Sequence, residues 1–186
     1  STMFSFLFGD GVAAFVMSKV DSEDNAVKIG KITHAVNFTD SDYRKASVRL
    51  AGNASTHMYE HELTANSDIL KRSLEYSKKV LARSFGNDAD TFDEQQTKSF
   101  FAEQKKVMIH TGSMKILDGF KNLYKLDYNQ VQESYETLKE YGNLTGVSIP
   151  TVLSKAMTQK NSISGKSLLI GITMGFGLDL VEIEKV

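Results

Sequence analysis

The segment at residues 105–126 constrains the fold most, because its apolar pattern changes from that of a strand to that of a helix within a few residues. KKVMIH, at 105–110, predicts a short buried strand with His110 at its C-terminal end. Thr-Gly-Ser at 111–113 predicts a turn, and the MKILDGFKNLYKL that follows has one apolar helical face formed by Ile116, Leu117, Phe120, Leu123 and Tyr124. Loops at strand ends gather polar groups over a rigid sheet, so His110 is a candidate ligand-binding residue.

Asn143 lies at a second break in the pattern. The helical run QVQESYETLKEY ends at Gly142-Asn143, and a new helix begins through LTGVSIP. Pro150 fits the first turn of that helix, where its missing amide hydrogen would have no partner. Val152, Leu153, Ala156 and Met157 then predict a largely buried helix.

The end of the chain predicts a hairpin of two strands. SLLIGITM is an uninterrupted apolar strand, Gly175-Phe176-Gly177 is a turn, and LDLVEIEKV is the returning strand. Glu182, Glu184 and Lys185 predict that one side of the returning strand meets solvent. Strands and helices alternate along the chain, which predicts an α/β fold.

The first half of the chain gives weaker signals. Residues 3–20 are apolar around Asp10, which predicts two buried strands, or one strand and a tight turn, and suggests that further residues precede so apolar a start. VKIGKITHAVNF predicts a half-exposed strand with a bulge near Gly30. His57 and His61 have the i, i+4 spacing of half a zinc site, but a third ligand is missing and surface histidines are favoured.

Two helices are expected between residues 66 and 104. DILKRSLEYSKKVLARSF has an apolar stripe and a basic opposite face, which fits either a solvated surface or a docking site for an acidic carrier protein. Thr91 and Glu94 match a capping box at the start of the next helix.

Composition excludes several classes of function. The chain has 186 residues, 41% of them hydrophobic, and a net charge of −1, which fits one globular domain and favours neither nucleic acid nor an acidic membrane as a partner. No apolar run reaches the roughly 18 residues of a membrane span, so a cytoplasmic protein is expected. The absence of cysteine excludes disulfides, thiolate metal sites and a cysteine nucleophile within this chain.

Four motifs carry a resemblance to a known family: FLFGDGVAA (6–14), HTGSMKILD (110–118), EYGNLTGVSIP (140–150) and LLIGITMGFG (168–177). They resemble, in order, the C-terminal half of condensing enzymes of the thiolase superfamily, namely β-ketoacyl-[acyl carrier protein] synthase III and the chalcone-synthase-like type III polyketide synthases. The resemblance implies that residues 1–186 form one half of a layered α-β-α thiolase-like fold with a mixed central sheet. It also implies that the acyl-accepting cysteine belongs to an N-terminal half that is absent here.

The resemblance implies a function for each motif. His110 and Asn143 would donate hydrogen bonds to the enolate formed when a malonyl thioester loses carbon dioxide, in a decarboxylative Claisen condensation of the kind used in fatty acid and polyketide synthesis. Gly175, Phe176 and Gly177 would form a glycine-rich loop beside the acyl group. Without the resemblance, a core histidine, a helix-terminal asparagine and a plain hairpin would account for the same residues.

The resemblance also implies substrates and partners. The substrates would be thioesters of coenzyme A or acyl carrier protein, with no metal and no further cofactor. The partners would be the cysteine-bearing half and an acyl carrier protein, in a homodimer or a hetero-association. A non-catalytic scaffold or acyl-binding half is the alternative function. The subfamily stays open, because Thr-Gly-Ser after His110 matches neither the Gln-Ala-Asn of synthase III nor the Pro-Gly-Gly of the polyketide branch.

Overall fold

The computed structural model describes residues 8–17, 30–40, 48–53, 58–63, 69–85, 92–158, 165–173 and 176–184, and for 48–53 and 58–63 the backbone alone. The strands are β1 (Lys31–Thr39), β2 (Val48–Asn53), β3 (Met58–Leu63), β4 (Lys106–Ile109), β5 (Lys166–Thr173) and β6 (Gly177–Glu184). The helices are α1 (Ile69–Phe85), α2 (Glu94–Glu103), α3 (Met114–Tyr124), α4 (Tyr128–Tyr141) and α5 (Ser148–Thr158), with a 3₁₀ turn at Thr145–Val147.

The main sheet is mixed and has the order β1-β6-β5-β4. β4 and β5 are parallel, whereas β5 pairs with β6 and β6 pairs with β1 in antiparallel fashion. The predicted α/β class and the closing hairpin are both confirmed. β2 and β3 form a separate antiparallel pair.

Both faces of the main sheet are covered, which explains the uninterrupted apolar run of β5. Leu168 and Ile170 pack in a core with side chains from α1 to α4. Leu169 points the other way, into a smaller cluster with Val152 and Leu153 of α5. Neighbouring residues of a strand face opposite sides, so a strand buried on both sides must be apolar throughout. The result is a helix-sheet-helix arrangement, as the family resemblance of the sequence implied.

Helix α4 covers the open edge of β4. Ile109 in that strand donates its backbone N–H to Ser134 Oγ of α4, at 2.9 Å. An uncovered strand edge leaves backbone donors without partners, and a helix laid along it is one of the usual solutions. This contact fixes α4, and with it the Asn143 segment, against the strand that ends at His110.

The returning strand β6 differs from the sequence-based expectation at Glu182. Glu184 is exposed as predicted, but Glu182 is buried, with 6% of its surface accessible. Its carboxylate accepts hydrogen bonds from Thr33 Oγ1 at 2.8 Å and Gln104 Nε2 at 2.9 Å. These two donors offset the cost of removing the carboxylate from water, which the alternation pattern of β6 alone could not reveal.

Two local predictions in the first half are also corrected. The capping box of α2 is formed by Asp93 and Gln96 rather than by Thr91 and Glu94, and Thr91 lies outside the described residues. The apolar stretch at 3–20 is predicted to form two buried strands, or one strand and a tight turn. In its described part, residues 8–17, the one strand contact with other described residues is an isolated bridge from Phe8 to Asn143. Val12 and Val16 are 94% and 99% exposed.

The remaining assignments in the first half are partly confirmed. The strand before residue 40 is present, with its register shift between Ile32 and His34 rather than at Gly30. His61 lies in β3, so the i, i+4 helical geometry of a zinc site is wrong there, and His57 lies outside the described residues. Among the residues that the structure describes, no group of three or more histidine, aspartate or glutamate side chains is arranged to hold a metal ion.

Candidate functional site

His110 follows the last residue of β4 at one end of the main sheet. Its backbone N–H donates to Ile170 O of β5 at 2.9 Å, which fixes the start of the turn on the central strand. The turn then tightens, because Gly112 donates its N–H to His110 O at 2.8 Å. Ser113 caps α3 by accepting from Ile116 N–H through its hydroxyl at 3.3 Å. The predicted strand, turn and helix around the histidine are therefore confirmed.

The His110 imidazole is neutral near pH 7. Burial lowers its pKa from the ordinary 6.5 to about 4, because a charged imidazolium would lose its hydration. Burial is the one cause of this shift, and no hydrogen bond to either ring nitrogen contributes to it. A neutral imidazole has one N–H donor and one acceptor nitrogen, so both remain available to a bound molecule.

Asn143 is held at the start of the 3₁₀ turn in a fixed orientation. Its side chain is 8% exposed, its Oδ1 accepts from Thr145 N–H at 2.9 Å, and its Nδ2 donates to Gly112 O at 3.4 Å. The backbone carbonyl oxygen of Asn143 accepts a hydrogen bond from Gly9 N–H at 3.1 Å. A carboxamide nitrogen carries two hydrogens, so Asn143 retains one N–H for a ligand.

Gly112 lies between the two candidate residues. A Cβ atom added to it would lie 3.1 Å from His110 Cδ2 and 3.4 Å from His110 Nε2, while its carbonyl oxygen accepts from Asn143. The structure therefore brings His110 and Asn143 to the same residue, at the C-terminal end of β4. A side chain at position 112 would fill the space beside the imidazole.

Two buried hydroxyls beside this pair were missed from the sequence. Thr111 Oγ1 lies 3.0 Å from Ser148 Oγ and 3.3 Å from Gly142 O, and both Thr111 and Ser148 are fully buried. The available signal was position alone, because each hydroxyl residue lies within five residues of a candidate side chain. Thr and Ser are common in turns and helix starts, so that signal has low specificity.

Phe176 and Gly177, the described part of the predicted glycine-rich turn, follow the C-terminal end of β5, at the same end of the sheet as His110. Phe176 is buried against Tyr76 of α1, with ring centroids 5.6 Å apart, and Gly177 begins β6 opposite Thr173. Thr173 is three residues beyond Ile170, or about 10 Å along an extended strand. The Phe176 ring thus packs in the core, and Gly175 lies outside the described residues.

The basic face of α1 is partly engaged within the chain. Arg72 pairs with Asp40 at 3.3 Å, and Lys71 lies 3.9 Å from Glu75. Lys79 lies over the Tyr76 ring at 5.9 Å. Docking of an acidic carrier protein on this face stays a prediction. In the described part of the chain, no helix has the length and apolar character needed to cross a membrane.

Comparison with solved structures finds the same fold in several condensing enzymes. The chain matches 3-oxoacyl-(acyl carrier protein) synthase III (FabH) from Pseudomonas aeruginosa PAO1 with a TM-score of 0.68 and 16% identity, over 100% of this chain and 52% of that one. It matches the C-terminal type III polyketide synthase domain of Steely1 from Dictyostelium with a TM-score of 0.63 and 17% identity, over 84% of this chain and 40% of that one.

A third match is OleA from Xanthomonas campestris, with a TM-score of 0.63 and 19% identity, over 83% of this chain and 39% of that one. No protein-family profile matches the sequence. The chain spans about half the length or less of these structures, two of which are named as a 3-oxoacyl-(acyl carrier protein) synthase III and a type III polyketide synthase domain. The four-stranded mixed sheet and the five helices of the described residues therefore match a partial thiolase-like α/β fold.

Proposed function

We propose that this chain is the His/Asn-bearing, C-terminal half of an acyltransferase that joins an acyl thioester to a malonyl thioester by decarboxylative Claisen condensation. The observation that carries the proposal is the convergence on Gly112 of a neutral imidazole and an oriented carboxamide. The likeness of the fold to FabH, the Steely1 domain and OleA supports a condensation reaction in general.

The chemistry follows from the donors available at the site. When a malonyl thioester loses carbon dioxide, the electrons of the broken C–C bond move to the α-carbon and the thioester oxygen. N–H groups of His110 and Asn143 aimed at that oxygen would stabilise the enolate, and one such donor lowers a barrier by ~3 kcal/mol. A neutral His110 keeps the imidazole a donor without adding a charge that the buried site would disfavour.

The second half-reaction needs a group that this chain lacks. The enolate carbon attacks the carbonyl of an acyl group, forms the new C–C bond and expels the sulfur that held the acyl group as thiolate. The chain contains no cysteine, so a cysteine-bearing N-terminal half is proposed as the partner that carries this acyl group. The proposed substrates are thioesters of coenzyme A or acyl carrier protein. The isolated chain should therefore release no ketoacyl product.

The test measures carbon dioxide released from carboxyl-labelled malonyl-coenzyme A by the native assembly that contains the cysteine-bearing half. Asn143→Ala should lower this rate by roughly 10²–10³, because it removes one enolate donor. It should leave acyl loading of the cysteine nearly intact, because an uncharged carboxamide does not assist a thiolate. Asn122→Ala, an exposed asparagine on α3, is the control and should keep the wild-type rate.

Two results would overturn the proposal. Wild-type decarboxylation by Asn143→Ala would reduce Asn143 to a helix-terminal residue. Binding of acyl-coenzyme A without any release of carbon dioxide by the wild-type assembly would instead support the non-catalytic acyl-binding half.

A further inference from the structure

A buried hydroxyl pair joins the two loops that carry His110 and Asn143. Thr111 directly follows His110, and Ser148 begins α5, five residues after Asn143. Their hydroxyl oxygens lie 3.0 Å apart with no exposed surface on either residue. The condensation chemistry proposed above gives neither Thr111 nor Ser148 a role.

The pair connects to the backbone beside Asn143 as well. Thr111 Oγ1 lies 3.3 Å from the carbonyl oxygen of Gly142, the residue that precedes Asn143. The Thr111 hydroxyl is the donor to both the Ser148 hydroxyl at 3.0 Å and Gly142 O at 3.3 Å. It carries a single proton, so it shares that proton between the two acceptors, of which Ser148 is the nearer.

A further link between the loops, made by the Asn143 side chain, is weaker. Asn143 Nδ2 reaches Gly112 O at 3.4 Å, which is beyond the usual N–H···O range of 2.7–3.2 Å. That bond also uses the carboxamide that a ligand would engage. The Thr111–Ser148 pair is shorter and fully buried, and it uses neither the imidazole nor the carboxamide.

We propose that Thr111 and Ser148 are positioning residues, whose buried hydroxyl pair sets the spacing between the His110 imidazole and the Asn143 carboxamide. The catalytic part of this inference rests on the proposed condensation function, but the positioning itself is a property of this chain. A displacement of about 1 Å in a catalytic group can lower a rate by about 10²-fold, so such a pair would matter for turnover without touching substrate.

The chain offers a matched control for a lost buried hydroxyl. Thr137 in α4 is also fully buried, yet its Oγ1 has no hydrogen-bond partner among the described residues. Thr137→Val and Thr111→Val thus make the same chemical change at equal burial. Only Thr111→Val removes a hydrogen bond between the two loops.

The first experiment uses the full 186-residue chain labelled with ¹⁵N and ¹³C, and records the imidazole signals of His110 and the side-chain NH₂ signals of Asn143. Thr111→Val and Ser148→Ala should each shift both sets of signals. Thr111→Ser, which keeps the hydroxyl, should restore the wild-type positions, and Thr137→Val should leave them unchanged. Ser148→Ala keeps the test valid if Thr111→Val does not fold.

The second experiment measures carbon dioxide release from malonyl-coenzyme A by the native assembly. Thr111→Val should lower kcat by about 10²-fold with little change in KM, because substrate contacts are retained while the donors are displaced. Thr111→Ser should recover most of kcat. If the wild-type assembly does not decarboxylate malonyl-coenzyme A, the proposed condensation function is wrong. The NMR signals would still decide whether Thr111 and Ser148 position the side chains of His110 and Asn143.

The positioning role is wrong if Thr111→Val and Ser148→Ala leave the His110 and Asn143 signals in place. It is equally wrong if Thr137→Val shifts these signals as far, because the shift would then be a general response to the loss of any buried hydroxyl. A rate loss that Thr111→Ser fails to recover would show that the methyl packing of Thr111, not its hydroxyl, carries the effect.

Discussion

At the scale of single residues, the site depends on groups whose environment changes their ordinary chemistry. His110 is the clearest case, because burial alone accounts for its lowered pKa and no charged neighbour contributes. At neutral pH a histidine kept uncharged in this way has one N–H donor and one acceptor nitrogen. The same burial makes the stability of the fold depend on pH.

The first prediction concerns this pH dependence. The folded pKa of about 4 lies below the unfolded value of 6.5, so the unfolded state binds a proton first as the pH falls. The contribution of His110 to stability is therefore complete above about pH 7 and is lost between pH 6.5 and 4, by up to about 3 kcal/mol. An NMR titration of the His110 imidazole should show a midpoint near 4. A midpoint near 6.5 would contradict the desolvated site.

The second prediction concerns Gly9, which approaches the backbone next to Asn143. A Cβ atom at this position would lie 2.0 Å from Tyr141 O, a backbone atom that cannot move aside alone. Gly9→Ala should therefore break the hydrogen bond from the amide of residue 9 to Asn143 O, and this amide should exchange its hydrogen faster than in the wild type. Gly146→Ala is the control, because nothing lies within 4 Å of its Cβ position. Equal exchange in both variants would refute the close approach.

At the scale of elements, the sequence predicts most of what holds the site. β4, α3, α5 and the closing hairpin were identified because each shows a clear strand or helix period with turn residues at its ends. The period of each element is set by residues a few positions apart, which a sequence pattern records directly, although β4 pairs with the distant strand β5. His110 and Asn143 could be named for the same reason, since each lies at a break between two periodic segments.

Features that depend on distant partners could not be predicted in this way. Glu182 is buried because Thr33 and Gln104, 149 and 78 positions away, supply its donors. The Thr111–Ser148 pair joins residues 37 positions apart. In both cases the local pattern suggests an ordinary polar residue, and only the packing of separate elements shows that it has a defined partner.

The third prediction tests the contact that places α4 against β4. Ser134→Ala removes the acceptor of Ile109 N–H and leaves that buried donor unpaired, which should cost about 1–3 kcal/mol in the free energy of unfolding. Chemical denaturation would measure the loss. Ser154→Ala, at an exposed position of α5, should change stability little. A cost for Ser134→Ala no larger than that of Ser154→Ala would mean that water satisfies the β4 edge.

At the scale of the whole molecule, the exposed apolar segment at residues 8–17 is the main departure from an ordinary surface. Phe15 and Met17 are 52% and 81% exposed, beside Val12 and Val16, which are almost fully exposed. Beyond the bridge at Phe8, this extended segment has no strand partner among the described residues. Contiguous apolar patches of this kind usually mark a surface that another chain covers.

The last prediction follows from that surface. Isolated copies of the chain should self-associate, because pairing two such segments removes their apolar side chains from water. Sedimentation velocity should show a sedimentation coefficient that rises with concentration, and Val12→Asp with Val16→Asp should give a monomer. Ser154→Asp with Thr158→Asp adds the same charge at exposed positions of α5 and should associate like wild type. A wild-type chain that stays monomeric at high concentration would show that residues 8–17 do not form a contact surface between copies.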